Sequence, residues 1–216
     1  MALLSEKDIK YVSELFSKNL AREVHLALFT DPEGQCEYCE RTVELLRELA
    51  AVDKRLILEV KDITKERENA RRLGINKAPG LAISARDREV HLLYFGIPAG
   101  YQFAALLDDI VDVSNGKTRL APTTVAQLSK IGKIVEISVF VTMDEQLCAG
   151  AVRIAHQFAI ENPKVWASMI DAEEFTELAI HSNVTKVPKV VINGMINFEE
   201  PLPENEFLDY VMSAAE

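Results

Sequence analysis

The sequence predicts an α/β protein built from two tandem copies of one unit. Three observations predict it: helical and strand-like apolar periods that alternate, a repeat at constant offset, and a Cys-x-x-Cys placed between a strand and a helix. With 216 residues, 48% of them hydrophobic, the chain can bury one large or two small cores.

Each element follows from its own pattern. Ile9, Val12, Leu15, Phe16 and Leu20 recur at helical spacing behind Ser5, whose hydroxyl can cap the first turn, so residues 5–20 form an amphipathic helix. Residues 24–29 read as a buried strand, followed by a loop carrying Pro32, Gly34 and two cysteines. A helix over 37–51 places Val43, Leu46, Leu49 and Ala50 on one face. Residues 56–60 form a second strand and 64–73 a second helix, which Gly74 stops. A strand pair, 81–83 and 90–95, is joined across 85–88, and a helix over 101–113 closes the unit.

The second half repeats this order. Cys39 and Cys148, Asp62 and Asp171, and Pro79 and Pro188 are each 109 residues apart. Between them Val43 falls on Val152, Leu49 on Phe158, Ile75 on Val184 and Lys77 on Lys186. The joint lies in the polar stretch 114–122, with the boundary near residue 117, giving units 1–117 and 118–216. Thr123 or Thr124 is expected to cap a short helix ending at Ile131, before a strand over 134–141. Asn193-Gly194 suits a two-residue hairpin turn with positive φ.

Composition narrows the function. A net charge of -10 repels phosphate, which argues against nucleic acid and anionic membranes as partners. The longest stretch without Asp, Glu, Lys or Arg, 90–107, is broken by Gly96, Pro98 and Gly100, so no transmembrane segment is expected. Ala2-Leu3-Leu4 is cut short by Glu6, Lys7 and Asp8, so no export signal is expected and the cytoplasm is the default location. Three cysteines are too few for a disulfide scaffold, and an odd number leaves at least one thiol without an intramolecular partner.

Cys36-Glu37-Tyr38-Cys39 carries the chemistry. At the start of a helix, free backbone N–H groups and the dipole stabilise a thiolate at the first cysteine. The second cysteine, one turn on, can close or resolve a disulfide, so the spacing fits dithiol–disulfide exchange. A Cys-x-x-Cys can also be half of a zinc site, but Cys148 with His25, His91, His156 and His181 shows no ligand spacing, and no metal is expected.

The two repeated units, the Cys-x-x-Cys with Tyr38 at its third position, and Ala78-Pro79 and Val187-Pro188 ahead of strands resemble the glutaredoxin-like protein disulfide oxidoreductases of heat-loving microorganisms. That resemblance implies two tandem thioredoxin-like folds, each a central mixed sheet flanked by helices. It implies that Cys36 attacks, Cys39 resolves, and Pro79 is a cis-proline facing them. Backbone groups of Ala78 would then bind an extended substrate strand, with Tyr38 beside the substrate or covering the helix. A plain turn proline is the alternative. The implied partners are protein disulfides and a thioredoxin-reductase-like flavoprotein as electron donor. No bound cofactor is implied beyond the redox-active disulfide Cys36–Cys39.

The second unit departs from that family's usual second Cys-x-x-Cys. Its aligned tetrapeptide is Glu145-Gln146-Leu147-Cys148, where a carboxylate holds the attacking position and Pro188 matches Pro79. This second site is therefore degenerate. Glu145 suits a helix start, and Cys148 reads as an inert buried thiol or, more sharply, as a partner for a third sulfur. The pair's position in the first unit also separates the chain from peroxiredoxin-reducing flavoproteins, whose active pair lies in the second unit. Monothiol glutaredoxins keep the first cysteine, not the second.

Other residues weigh less. Asp62 and Asp171 can shuttle protons or cap helices, and their recurrence beside a missing nucleophile favours capping. His25 and His91 read as packed strand residues, Trp166 as core, and Lys77 as an offset to the acidic rim. The rival to an enzyme is a redox-inactive thioredoxin-fold binding or chaperone module, or a metal-binding adaptor. Oligomeric state is not legible.

Asp31, Glu33, Glu37 and Glu40 crowd the thiols, with Arg41 the nearest counter-charge in sequence. Negative neighbours oppose thiolate formation and so disfavour the reduced state. A redox-buffer titration is expected to place the Cys36–Cys39 couple well below the roughly -120 mV of strongly oxidising thiol oxidases, and a value near that figure contradicts the expectation.

Overall fold

The computed structural model describes residues 3–34, 36–86 and 88–216. Ala2 of the export argument and Asp87 of the 85–88 connection lie outside them. The first repeat runs α1 (Glu6–Asn19), β1 (Val24–Thr30), α2 (Cys39–Val52), β2 (Leu56–Asp62), α3 (Arg67–Arg72), β3 (Gly80–Ala85), β4 (Arg88–Phe95) and α4 (Tyr101–Asn115). The second runs α5 (Pro122–Leu128), β5 (Val135–Val141), α6 (Gln146–Glu161), β6 (Val165–Asp171), α7 (Thr176–His181), β7 (Lys189–Ile192), β8 (Ile196–Phe198) and α8 (Glu204–Ala214).

Local chemistry sets the ends of these elements. Ser5 caps α1 reciprocally with Asp8, each side chain taking the other's backbone N–H. Gly74, at φ 82°, closes α3 as the left-handed residue of a Schellman motif, with Gly74 N–H on Arg71 O and Ile75 N–H on Ala70 O. Asn183, at φ 50°, does the same after α7, where the shorter polar side chain tolerates that conformation.

Three boundaries differ from expectation. The N-cap of α5 is Ala121 with Pro122 at the first helical position, because proline has no N–H to be capped there. Neither Thr123 nor Thr124 caps it; the Thr124 hydroxyl donates to Glu204. α3 starts at Arg67 instead of Thr64, since Thr64 is held by the Asp62 carboxylate through both its N–H and its hydroxyl. Asn193 and Gly194 take positive φ, but the ladder resumes at Ile196, so the β7–β8 loop has three residues, 193–195.

The two expected sheets are one. The strand order is β2-β1-β3-β4-β6-β5-β7-β8 in a single eight-stranded sheet. Within each repeat the first strand pairs parallel to the second and antiparallel to the third. The joint is a parallel β4–β6 ladder, from His91 opposite Trp166 to Phe95 opposite Ile170. A parallel pair at the centre of a covered sheet is apolar on both sides, and residues 91–98 are all buried. Leu92 and Tyr94 enter the main core with α1, α2, α4, α6 and α8, while Leu93 and Phe95 join Ile75, Phe140, Ile170 and Ala179 on the opposite face, under α3 and α7. Trp166 is correspondingly half-buried and serves the joint, its ring stacked on His91 at 4.0 Å.

On the main-core side the joint carries a buried ionic cluster. The Asp109 carboxylate on α4 accepts from the Tyr94 hydroxyl and from Arg153 on α6, and lies 2.6 Å from His156 Nδ1. Arg153 also reaches Asp112. Its side chain is only 12% exposed and that of Asp109 0%, so removing the cation strands two carboxylates out of water. Arg153→Met is expected to cost about 3–5 kcal/mol of unfolding free energy in urea. A loss below about 1 kcal/mol contradicts that placement.

Candidate active site

Cys36 and Cys39 are joined in a disulfide with their Cα atoms 5.4 Å apart. Cys39 is the first residue of α2 and is buried; Cys36 lies three residues earlier in the preceding loop and is partly exposed. Tyr38 is the N-cap of α2, without a side-chain cap, and its carbonyl accepts from both the N–H and the hydroxyl of Thr42. Its ring packs on the cluster of Leu4, Leu45 and Ile97, so it covers the start of the helix. The Leu3 and Leu4 N–H groups donate to Glu48, which straps the N-terminal segment along α2.

Ala78–Pro79 and Val187–Pro188 are both cis peptides, each directly before the third strand of its repeat. Pro79 O accepts from Gly96 N–H at 3.1 Å, which fixes the start of β3 to the end of β4. Lys77 precedes them, and it does not stand free as an offset to the acidic rim. Its ammonium lies 3.8 Å from the centroid of the Phe95 ring and donates to Asn76, and burial pushes its pKa down to about 8.

The degenerate site is differently built. Glu145 is the N-cap of α6 and its carboxylate accepts from Leu147 N–H at 3.0 Å. α6 begins at Gln146, two residues earlier than α2 does in the aligned frame. Cys148 is a free thiol, fully buried, and burial pushes its pKa up to about 11. The loop before it is closed by the first repeat, where Tyr101 N–H and the Gln102 amide donate to the carbonyls of Met143 and Thr142.

Asp62 and Asp171 occupy matched turns after β2 and β6. Asp62 accepts from Thr64, and Asp171 from Glu173 and Glu174 N–H, so both brace the turn ahead of the helix without being its N-cap. Asp171 differs in being buried, which raises its pKa.

One acid was not legible in the sequence. Glu174, from the β6–α7 turn of the second repeat, reaches the first repeat's site. At Gly96, φ 99°, an added Cβ would lie 2.6 Å from Asp171 Cβ and 3.0 Å from Glu174 Oε2, so only glycine admits this approach. Burial, with Asp171 and Glu37 as negative neighbours, pushes the Glu174 carboxyl up to about 8, against the N–H groups of Ile97 and Tyr38, which favour its charged form. Its Oε2 is shielded from solvent with no hydrogen-bond partner among the described residues. A carboxyl beside the backbone between the two cysteines, held protonated near neutrality, has the properties of a proton carrier. No group of three or more His, Cys, Asp or Glu among the described residues is arranged to hold a metal ion. No helix among them is long and apolar enough to cross a membrane.

The fold is a tandem thioredoxin fold, and with its paired cysteines the chain is similar to thioredoxin-fold disulfide oxidoreductases. The thioredoxin-domain family model matches residues 135–213, inside the second repeat. Over nearly its whole length the chain is similar to a protein disulfide oxidoreductase from Aeropyrum pernix K1, with a TM-score of 0.90, 27% identity, and coverage of 98% of this chain and 93% of that one. The NTD_N/C domain of alkylhydroperoxide reductase from Enterococcus faecalis shares the fold at a TM-score of 0.89 and 23% identity, covering 96% of this chain and 99% of that one. Among curated relatives, an alkyl hydroperoxide reductase protein of Staphylococcus aureus is 26% identical over 163 residues, 73% of this chain. The chain spans about a third of the length of that relative, 32%.

The raised pKa of Glu174 has a sign for stability. Its folded value of about 8 exceeds the ordinary 4.5, so the folded chain keeps a proton that the unfolded chain releases, and this stabilisation is full below pH 4.5 and lost as pH rises through 8. Glu174→Gln should therefore gain stability relative to wild type on going from below pH 4.5 to above pH 8 in urea titrations. A difference that does not change with pH contradicts a buried, protonated Glu174.

Proposed function

We propose that the chain reduces or exchanges disulfides in other proteins through one working site, Cys36 and Cys39, with residues 1–117 carrying the site and 118–216 a second unit without redox chemistry of its own. The observation that carries this reading is the pairing of Cys36 with Cys39 at the start of α2, set against Glu145, whose carboxylate caps α6 where the second attacking thiol would stand.

In the reduced protein the Cys36 thiolate attacks one sulfur of a substrate disulfide, forms a mixed disulfide and expels the other substrate thiolate. Cys39 then attacks Cys36, releasing the second substrate thiol and leaving the Cys36–Cys39 disulfide. Glu174, beside Tyr38, is mostly protonated at neutral pH, and its ionised fraction, which grows as pH rises towards about 8, accepts the Cys39 proton as that thiol becomes the attacking group. Two electrons pass from the dithiol to the substrate, and an external donor must restore them. A flavoprotein of the thioredoxin-reductase kind suits that role, and the longer reductase relative supports such a redox partnership. Pro79 and the Ala78 backbone form the wall against which an extended substrate strand lies, with Tyr38 at its side. Cys148, buried and with its thiol pKa pushed up, takes no part. The setting in which this runs is a reducing one, the cytoplasm.

Insulin reduction with dithiothreitol as donor tests the reading. Cys36→Ser should fall to the uncatalysed rate and Cys148→Ser should keep wild-type turnover. Equal turnover by Cys36→Ser and wild type contradicts an enzyme and favours a binding module.

A further inference from the structure

The two repeats together line an open cleft of about 680 Å³, and Glu174, beside the Tyr38 backbone, is one of its lining residues. Lys77 closes it on the first repeat's side; the second repeat supplies Glu174, Phe175, Glu177, Leu178 and His181 from the turn before α7 and from α7 itself. Its position is set by the fused sheet. Phe175 packs edge-on against Phe95 at the end of β4, with centroids 6.4 Å apart, and the Lys77 ammonium lies over that same Phe95 ring. Lys77 leads directly into Ala78–Pro79, the peptide proposed above as the wall for a substrate strand, so that side of the cleft adjoins the wall along the chain.

We infer that this cleft binds the polypeptide flanking a substrate's disulfide and selects a lysine or arginine side chain there, so that the second repeat sets specificity for the first. The inference rests on the disulfide-exchange reading above and names the kind of substrate it takes. Two features of the cleft fit a long cationic side chain. Phe175 and Leu178 are half-buried and offer an apolar lining for its methylene stem. The exposed Glu177 carboxylate meets the charged head, and the chain's net charge of -10 draws such a partner in. The cation of Lys77, which also lines the cleft, lies over the Phe95 ring.

Pre-reduced full-length protein mixed with disulfide-linked peptides in a stopped-flow instrument gives the rate constants directly. The substrates are a peptide with lysines flanking its disulfide, the same peptide with glutamates in their place, and hydroxyethyl disulfide, which has no flank. The variants are Glu177→Lys and, as an equal change of charge on the other face of the sheet, Glu206→Lys on α8. Wild type should reduce the lysine peptide about tenfold faster than the glutamate peptide. Glu177→Lys should remove most of that preference, while Glu206→Lys should keep it and should handle hydroxyethyl disulfide within twofold of wild type. An unchanged preference in Glu177→Lys, or an equal loss in Glu206→Lys, overturns the cleft and leaves the enzyme standing. Failure of wild type to reduce any of the three substrates overturns the oxidoreductase reading, and the cleft falls with it.

Discussion

The parallel pairing of β4 with β6 is the constraint on which the site depends. Five residue pairs, His91–Trp166 to Phe95–Ile170, turn two four-stranded sheets into one and fix the second repeat's turns against the first repeat's loops. Because the ladder runs to Phe95 and Ile170, the chain after each strand emerges at the same end, Gly96 on one side and Asp171 to Glu174 on the other. The Asp109–Arg153 cluster and the His91–Trp166 stack reinforce the joint on its two faces. Buried ions of this kind cost desolvation, and their use here is to hold one relative placement of α4 and α6.

That placement gives the second repeat a new task. Its own thiol site is closed: Glu145 caps a helix, Cys148 is buried, and Met143 and Thr142 are engaged by the start of α4. What it offers instead is the β6–α7 turn, with a carboxyl at the backbone of Tyr38 and one side of a cleft that Lys77 closes. The second repeat keeps the fold, because the core needs its helices and strands, and under the proposed exchange it contributes through the residues that face the first repeat.

Much of this was readable in one dimension. Each repeat's element order followed from apolar periods, and the 109-residue offset brought Cys39, Asp62 and Pro79 onto their partners because these residues sit at the ends of the same elements. The cysteine pair was legible because its spacing is set within one helical turn. The β4–β6 joint was not, since local periodicity does not encode which strands of two repeats meet. Its trace was there in the uncharged run from residue 90, where an edge strand would alternate but a central parallel one is apolar on both faces. Glu174 left no trace: it aligns with Lys65 of the first repeat and sits in an acidic run that looks solvated, and only the fold brings it to the cysteines. Trp166 looks like core in the sequence for the same reason, since its neighbour His91 belongs to the other repeat.

One sulfur, that of Cys36, forms the bond on which the proposed exchange turns. Reduced Cys39→Ser protein, with its resolving thiol removed, should accumulate a mixed disulfide when mixed with a disulfide-bonded peptide, and intact-mass and peptide mapping locate it. One peptide per chain, linked at Cys36, is the expected product. An adduct at Cys148, or none at all, contradicts the single-site exchange.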